Sequence, residues 1–245
     1  MIKGIIFDLD GTLLNTLKDI KASLNHALKT FGYKKITLAQ TKSFIGNGGK
    51  ELVERALKSR GIEFKEEVLD EFRSYYVNHS IDFTTPYEGI YELLNELKKK
   101  NIKLAVASNK FYKTAYKILD TLFKDTFEFA IGSGTNLKLK PSPDIIYASI
   151  EKMNIKVDEC LYVGDSEVDI LAAKNANMKV ISVLWGYRSK KILSKLNPDY
   201  MIKTPNEILK IIDKENENDW NLHRIKKQKE NVCWTLWRYC TYNSS

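Results

Sequence analysis

The 245-residue chain has three cysteines, three histidines and no apolar run long enough to span a bilayer. Cys160, Cys233 and Cys240 are odd in number and lack metal-type spacing, which argues against a disulfide framework and predicts reduced thiols. There is no Gly-x-Ser-x-Gly elbow, and His26, His79 and His223 fall in helical or tail segments, so nothing is placed for acyl transfer. Those histidines are expected to face solvent or to be satisfied within the core. The chain opens directly on a strand pattern with no signal-peptide architecture, so the expectation is a cytoplasmic protein without membrane association.

Acidic residues are the minority: 31 Asp and Glu against 39 Lys and Arg, a net charge of +8. The lysines are scattered and sit beside acidic residues, as in "ELLNELKKK", which is the pattern of solvated helix faces. No nucleic-acid partner is expected, only a modest attraction for anionic substrates.

What the chain does have is a 43% hydrophobic content, enough for a sizeable core, and a regular alternation of patterns. "GIIFDLD", "KLAVASN", "FEFAIGS", "CLYVGDS", "KVISVLW" and "DYMIK" are short, continuously apolar runs. Continuous apolarity predicts strands buried on both faces, as in a parallel sheet. Helical periodicity lies between them, in "GIYELLNELKKKN", "FYKTAYKILDTLF", "PDIIYASIEKMN" and "EVDILAAKNAN". The fold class is therefore α/β: a doubly wound, Rossmann-like parallel sheet.

From about Thr16 to Phe83 the rhythm breaks, and only helix-like periodicity is found. This predicts a small all-helical domain inserted after strand 1, above the carboxyl edge of the sheet where open α/β folds place ligands. The expected boundaries are 1–15 with 84–213 for the α/β core, 16–83 for the helical domain and 214–245 for a C-terminal extension. That extension follows an expected stop after "PNEILKIID" and reads as a partly disordered tail or a partner-binding segment. In the helical insertion, "IGNGG" (with Gly46, Asn47 and Gly48) is either a helix-joining turn or a substrate-facing loop with free N–H groups.

Four groups fall at predicted strand ends: Asp8 and Asp10; Ser108, Asn109 and Lys110; the loop with Lys138 and Lys140; and Gly164, Asp165 and Asp169. Singly, each is ordinary turn or cap chemistry. Together they converge on one sheet edge. Several aspartates there call for a hard divalent cation such as Mg²⁺, which takes one or two carboxylates plus water and phosphate oxygens. A lysine and a hydroxyl facing the same point suit a phosphoryl group.

"DLDGT" after an apolar strand, Ser108 closing the next, Lys140 in "KPSPD" and "VGDSEVD" together resemble, in order, the four signature motifs of the haloacid dehalogenase superfamily. Further similarity in "IGNGGKELVERAL", "PYEGIYELLNELK", "SNK" and "SVLWGYRS" points to its phosphoglycolate phosphatase-like branch, over about 2–212. The resemblance implies that the inserted helices are a cap, that Asp8 is a nucleophile forming an aspartyl-phosphate, and that Asp10 is the general acid–base. It implies Mg²⁺ held by Asp8, the Asp10 main-chain carbonyl and Asp165, with Asp169 in support. Ser108, Asn109 and Lys140 would bind phosphate, and the "KPxP" context favours Lys140 over Lys138. Asn15 departs from the pattern, standing where close relatives often carry an acidic residue.

The function so implied is Mg²⁺-dependent hydrolysis of a small phosphorylated metabolite by a monomer or homodimer. The alternatives are a sugar phosphomutase or a pyrophosphatase of the same fold, and more distantly a non-catalytic binding protein.

Overall fold

A computed structural model describes residues 1–221. His223, Cys233, Cys240 and most of the extension expected over 214–245 lie outside the described residues.

Six strands, numbered along the chain, form one parallel sheet. They are β1 (Gly4–Phe7), β4 (Lys103–Phe111), β5 (Phe129–Ser133), β6 (Cys160–Gly164), β7 (Lys179–Val183) and β8 (Tyr200–Ile202). Their order, β5-β4-β1-β6-β7-β8, puts the first strand near the middle, with later strands added outward on either side. Strand order reverses around β1, so the crevice outside the carboxyl ends of β4, β1 and β6 is the place such sheets reserve for ligands.

The strands are apolar over most of their length because both faces are covered; polar residues such as Lys103, Lys179 and the trio Ser108, Asn109 and Lys110 in β4 fall mainly at strand ends. Ile5 and Phe7, Leu104 and Val106, and Leu161 and Val163 enter one core with α5 (Ile90–Lys99), α6 (Tyr112–Leu122) and the start of α10 (207–221). Their neighbours Ile6, Ala105, Ala107 and Tyr162 enter the opposite core with α7 (Asp144–Met153) and α8 (Glu167–Asn175). The period-2 alternation of side chains sorts each strand between two cores, and each large apolar side chain fully buried contributes about 1.5–3 kcal/mol. The sheet is doubly wound, as the alternation predicts.

A third core joins α1 (Leu17–Thr30), α2 (Leu38–Phe44), α3 (Gly49–Lys58) and α4 (Glu66–Asn78), with Tyr187 reaching in from the loop after β7. The chain segments entering and leaving this layer pair with each other as β2 (Leu14–Asn15) and β3 (Thr85–Pro86), antiparallel. The buried Asp19 carboxylate ties them further: it accepts from Phe83 N at 3.0 and 3.1 Å and from Thr84 Oγ1 at 2.7 Å. A two-residue ladder has no periodicity to betray it. The seven-residue α2 buries only Thr41, so it carries no apolar stripe either; its signal is the capping box Thr37–Gln40.

Helix α10 does not stop at Asp213, where the reading of the sequence ends the core, but runs to residue 221. The polar run "KENEN" reads as a boundary, yet Glu215 is buried at the sheet edge, where it accepts from Lys179 Nζ at 2.5 Å and from the Tyr200 hydroxyl. Cys160 is a free thiol, and burial pushes its pKa up to about 12. Among the described residues no helix is long and apolar enough to cross a membrane.

Candidate active site

The strand ends deliver the expected residues to one crevice. Asp8 follows β1 directly, and Asp10 lies in the turn beyond, where Gly11 adopts φ +90°. A Cβ on Gly11 would collide with the Asp165 carboxylate, so this close approach requires glycine as well as the positive φ. Asp165 follows β6, and its Oδ2 accepts from Tyr187 N at 2.6 Å. Single carboxylate oxygens of Asp8, Asp165 and Asp169 lie within 4.8 Å of one another, and all three residues are buried.

Among the described residues, Lys140 is the one cation in direct contact with this acidic group. Its Nζ donates to Asp8 Oδ1 at 2.7 Å, Asp169 Oδ1 at 2.6 Å and the Tyr162 hydroxyl at 2.8 Å, so all three ammonium protons are committed. Burial alone would lower its pKa, but the charges of Asp169 and Asp8 outweigh that and hold it well above the ordinary lysine value. Lys138 is exposed and contributes a backbone N–H to Asp144, so it is outside the site.

Burial raises the Asp8 pKa to about 6, helped by the charges of Asp169 and Asp10 and opposed by Lys140. Asp165 is raised well above the usual carboxylate range, first by burial and then by Asp169 and Asp8. One lysine against three buried carboxylates leaves uncompensated negative charge. Among the described residues no donor reaches Asp8 Oδ2 or Asp165 Oδ1. Two open carboxylate oxygens with excess negative charge fit a hard divalent cation.

Asp169 plays a different part. Its Oδ2 accepts from Ser166 N at 3.0 Å and Ser166 Oγ at 2.5 Å, closing the capping box that starts α8, while Oδ1 faces Lys140 and Tyr162. Both its oxygens are bonded within the protein, and its charge acts on Asp8 and Asp165 as well as on Lys140. The Asn109 side chain is engaged within the protein. It accepts from Lys140 N at 2.9 Å and donates to the carbonyls of Lys140 (2.9 Å) and Gly46 (3.1 Å), bracing the Lys140 loop and tying it to the helical layer. Ser108 is buried, with its Oγ near Lys110 N at 3.4 Å and its proton free to donate.

Sequence placed Lys110 at this strand end but gave it no role, and it gave none to Tyr76, Arg188 or Tyr187. Lys110 donates to both Asp10 oxygens (2.9 and 3.0 Å) and to the Tyr76 hydroxyl of α4 (2.5 Å). Arg188 bridges Glu167 at 2.8 Å to the carbonyls of Lys42 and Ile45 in the helical layer (3.1 and 2.8 Å). The Tyr187 hydroxyl accepts from Thr16 N at 2.9 Å where the chain leaves the sheet. The "SNK" string contains Lys110 and "SVLWGYRS" contains both Tyr187 and Arg188, whereas nothing marked Tyr76.

Gly46, Asn47 and Gly48 line the same cavity of about 280 Å³ as Asp8, Asp10 and Ser108. Asn47 Oδ1 is held by Arg55 at 3.0 Å, and the segment runs into the first turn of α3.

This crevice, at the switch point of a parallel sheet beneath an inserted helical layer, has known counterparts. The family model for haloacid dehalogenase-like hydrolases matches residues 5–183, and the chain belongs to that family. It is 37% identical to the phosphoglycolate phosphatase of Aquifex aeolicus over 213 residues, covering 86% of this chain and 97% of that one. It is 28% identical to the pyrophosphatase PpaX of Bacillus cereus over 218 residues, covering 89% and 99%. Among solved structures, a predicted phosphoglycolate phosphatase from Haemophilus somnus superposes with a TM-score of 0.78 at 31% identity, over 86% of this chain and 98% of that one.

Proposed function

We infer that the chain is a Mg²⁺-dependent phosphatase that hydrolyses a small phosphomonoester through a covalent aspartyl-phosphate. The observation that carries this reading is the grouping of Asp8, Asp165 and Lys140, with two carboxylate oxygens left open beside a lysine fixed 2.7 Å from Asp8. Membership of the hydrolase family and the names of the relatives support it.

In the reaction, the Asp8 carboxylate attacks phosphorus in line with the ester oxygen, forming a carboxylate oxygen–phosphorus bond as the ester bond breaks. Asp10 gives its proton to the departing alkoxide, then takes one from the water that cleaves the aspartyl-phosphate. Lys140 restrains Asp8 and faces the phosphoryl oxygens, and Ser108 Oγ donates to one of them; each such donor is worth about 3–4 kcal/mol in a transition state. Asp8, Asp165 and the Asp10 main-chain carbonyl would hold Mg²⁺, which supplies charge neutralisation for the phosphoryl oxygens. The helical layer over 16–83 acts as a cap that excludes water, with the Gly46–Gly48 loop facing the substrate.

The test is phosphate release from a panel containing phosphoglycolate, sugar phosphates and pyrophosphate, with and without Mg²⁺. Metal-dependent release from a small phosphomonoester, abolished in D8N, is expected. Preference for pyrophosphate would align the chain with its PpaX relative. An isomerised sugar phosphate without free phosphate would make it a mutase, and full turnover by D8N would remove Asp8 as nucleophile.

A further inference from the structure

The mechanism above leaves one buried cation unexplained. Lys110 has a side chain only 4% exposed and touches neither Asp8 nor Lys140; it grips the carboxylate of Asp10 through both oxygens. Its position results from a break in β4, whose pairing with β5 is regular from Ala105 to Ala107 and resumes out of step at Phe111. Irregularities of this kind re-aim side chains beside active sites. The Lys110 carbonyl packs so closely on Gly132 that a Cβ there would collide with it.

The third partner of the ammonium belongs to the helical layer. Tyr76, on α4, accepts from Lys110 Nζ through its hydroxyl, and its ring centroid is 4.4 Å from the same nitrogen. Tyr76 is itself buried in the helical core, stacked on Phe72 at 5.4 Å between centroids. The chain Tyr76–Lys110–Asp10 thus runs from the helical layer to a carboxylate at the reacting centre.

We propose that Lys110 is a positioning residue for Asp10, and that Tyr76 makes this hold conditional on the helical layer lying over the sheet edge. The proposal rests on the reading of Asp10 as general acid–base. A carboxyl that must first protonate an ester oxygen and then deprotonate water works only in one orientation, and a bidentate ammonium contact selects it. With the layer lifted, Lys110 loses its phenol partner and ring, and Asp10 is no longer held for proton transfer. Proton transfer is then restricted to the covered state, when bulk water is shut out.

The experiment compares leaving groups. Phosphoglycolate and glycerol 1-phosphate expel alkoxides that need a proton, whereas 2,4-dinitrophenyl phosphate expels a stable phenolate that does not. A positioned general acid is worth about 10²–10⁴-fold, so K110M is expected to lose ~30- to 100-fold in kcat/KM on both alkyl esters and under ~5-fold on the dinitrophenyl ester. K110R, which keeps a bidentate cation, should recover most of the alkyl activity. Y76F should give the same split at roughly 3- to 10-fold, the scale of one hydrogen bond.

Equal losses on all three esters in K110M would overturn the proposal, as would a rise in KM alone. A loss confined to phosphoglycolate would also overturn it, making Lys110 a carboxylate anchor. Should K110M not fold, K110R and Y76F carry the same comparison. D10N separates the two levels. It should show the widest split, and if it shows none the reading of Asp10 fails; a split in D10N without one in the Lys110 and Tyr76 variants refutes the positioning role alone.

Discussion

Replacing Asp8, the proposed nucleophile, by asparagine should stabilise the metal-free protein. Asp8 is buried in a setting that disfavours its charge, despite the 2.7 Å contact to Lys140, and its pKa rises from 3.8 to about 6. A folded-state pKa above the unfolded value means that the folded protein holds this proton more tightly. Its stabilising effect is complete below pH ~4 and is lost as the pH rises through about 6. A rise from 3.8 to about 6 corresponds to a cost of about 3 kcal/mol for carrying ionised Asp8 at pH 8. Asparagine never ionises, so D8N should match wild type near pH 4 and exceed it increasingly up to pH 7–8. For a chain of this size, about 3 kcal/mol corresponds to a Tm gain of roughly 6–12 °C. Thermal unfolding of both proteins in EDTA at pH 5, 6, 7 and 8 measures the difference. Adding Mg²⁺ at pH 8 should then stabilise wild type and narrow the gap, because the bound cation offsets the charge that D8N lacks. A D8N protein no more stable than wild type at pH 8 in EDTA, or a gain independent of pH, would refute the electrostatic account of the site.

Other variants probe the remaining parts. K140M strands Asp8 and Asp169 without their shared cation; loss of turnover and about 3–5 kcal/mol of stability is expected from urea unfolding. D165N should fold but abolish Mg²⁺-induced thermal stabilisation, since Asp165 carries one of the two open oxygens; retained Mg²⁺ binding by calorimetry would contradict the metal assignment. G186A sets a Cβ against the Asp165 side chain and the Gly11 carbonyl, so turnover should fall at least ~10-fold with the fold retained by circular dichroism. R188M removes two hydrogen bonds to the helical layer and one to Glu167; KM should rise while the Mg²⁺ response of the Tm is preserved.

The alternation of strand and helix, the burial of both sheet faces and the arrival of Asp8, Asp10, Ser108, Lys140 and Asp165 at one edge were legible in the sequence. All are consequences of local pattern. An all-apolar run of four or five residues must be covered on both sides, parallel connections force strand ends to one edge, and a polar residue after such a run sits at that edge. Helix α2, the β2–β3 ladder and the continuation of α10 past Asp213 were not legible, because each is too short or too polar to carry a period and is held by contacts to distant segments.

Within the site, sequence could nominate residue types but not the bonds they make. The "KPxP" context favoured Lys140 over Lys138, but only the folded loop shows it buried against Asp8, 132 residues away, with Lys138 left in solvent. Sequence nominated Asp169 and Asn109 without showing that their side chains also bond Ser166, Lys140 and Gly46. Lys110 meets Asp10 across 100 residues, and Tyr76 meets Lys110 across 34, through a strand irregularity that no periodicity predicts. The order and spacing of residues determined which polar groups reach one edge of the sheet. Tertiary packing decided which charged group neutralises which, because that depends on distances of a few ångströms between segments the chain order keeps far apart.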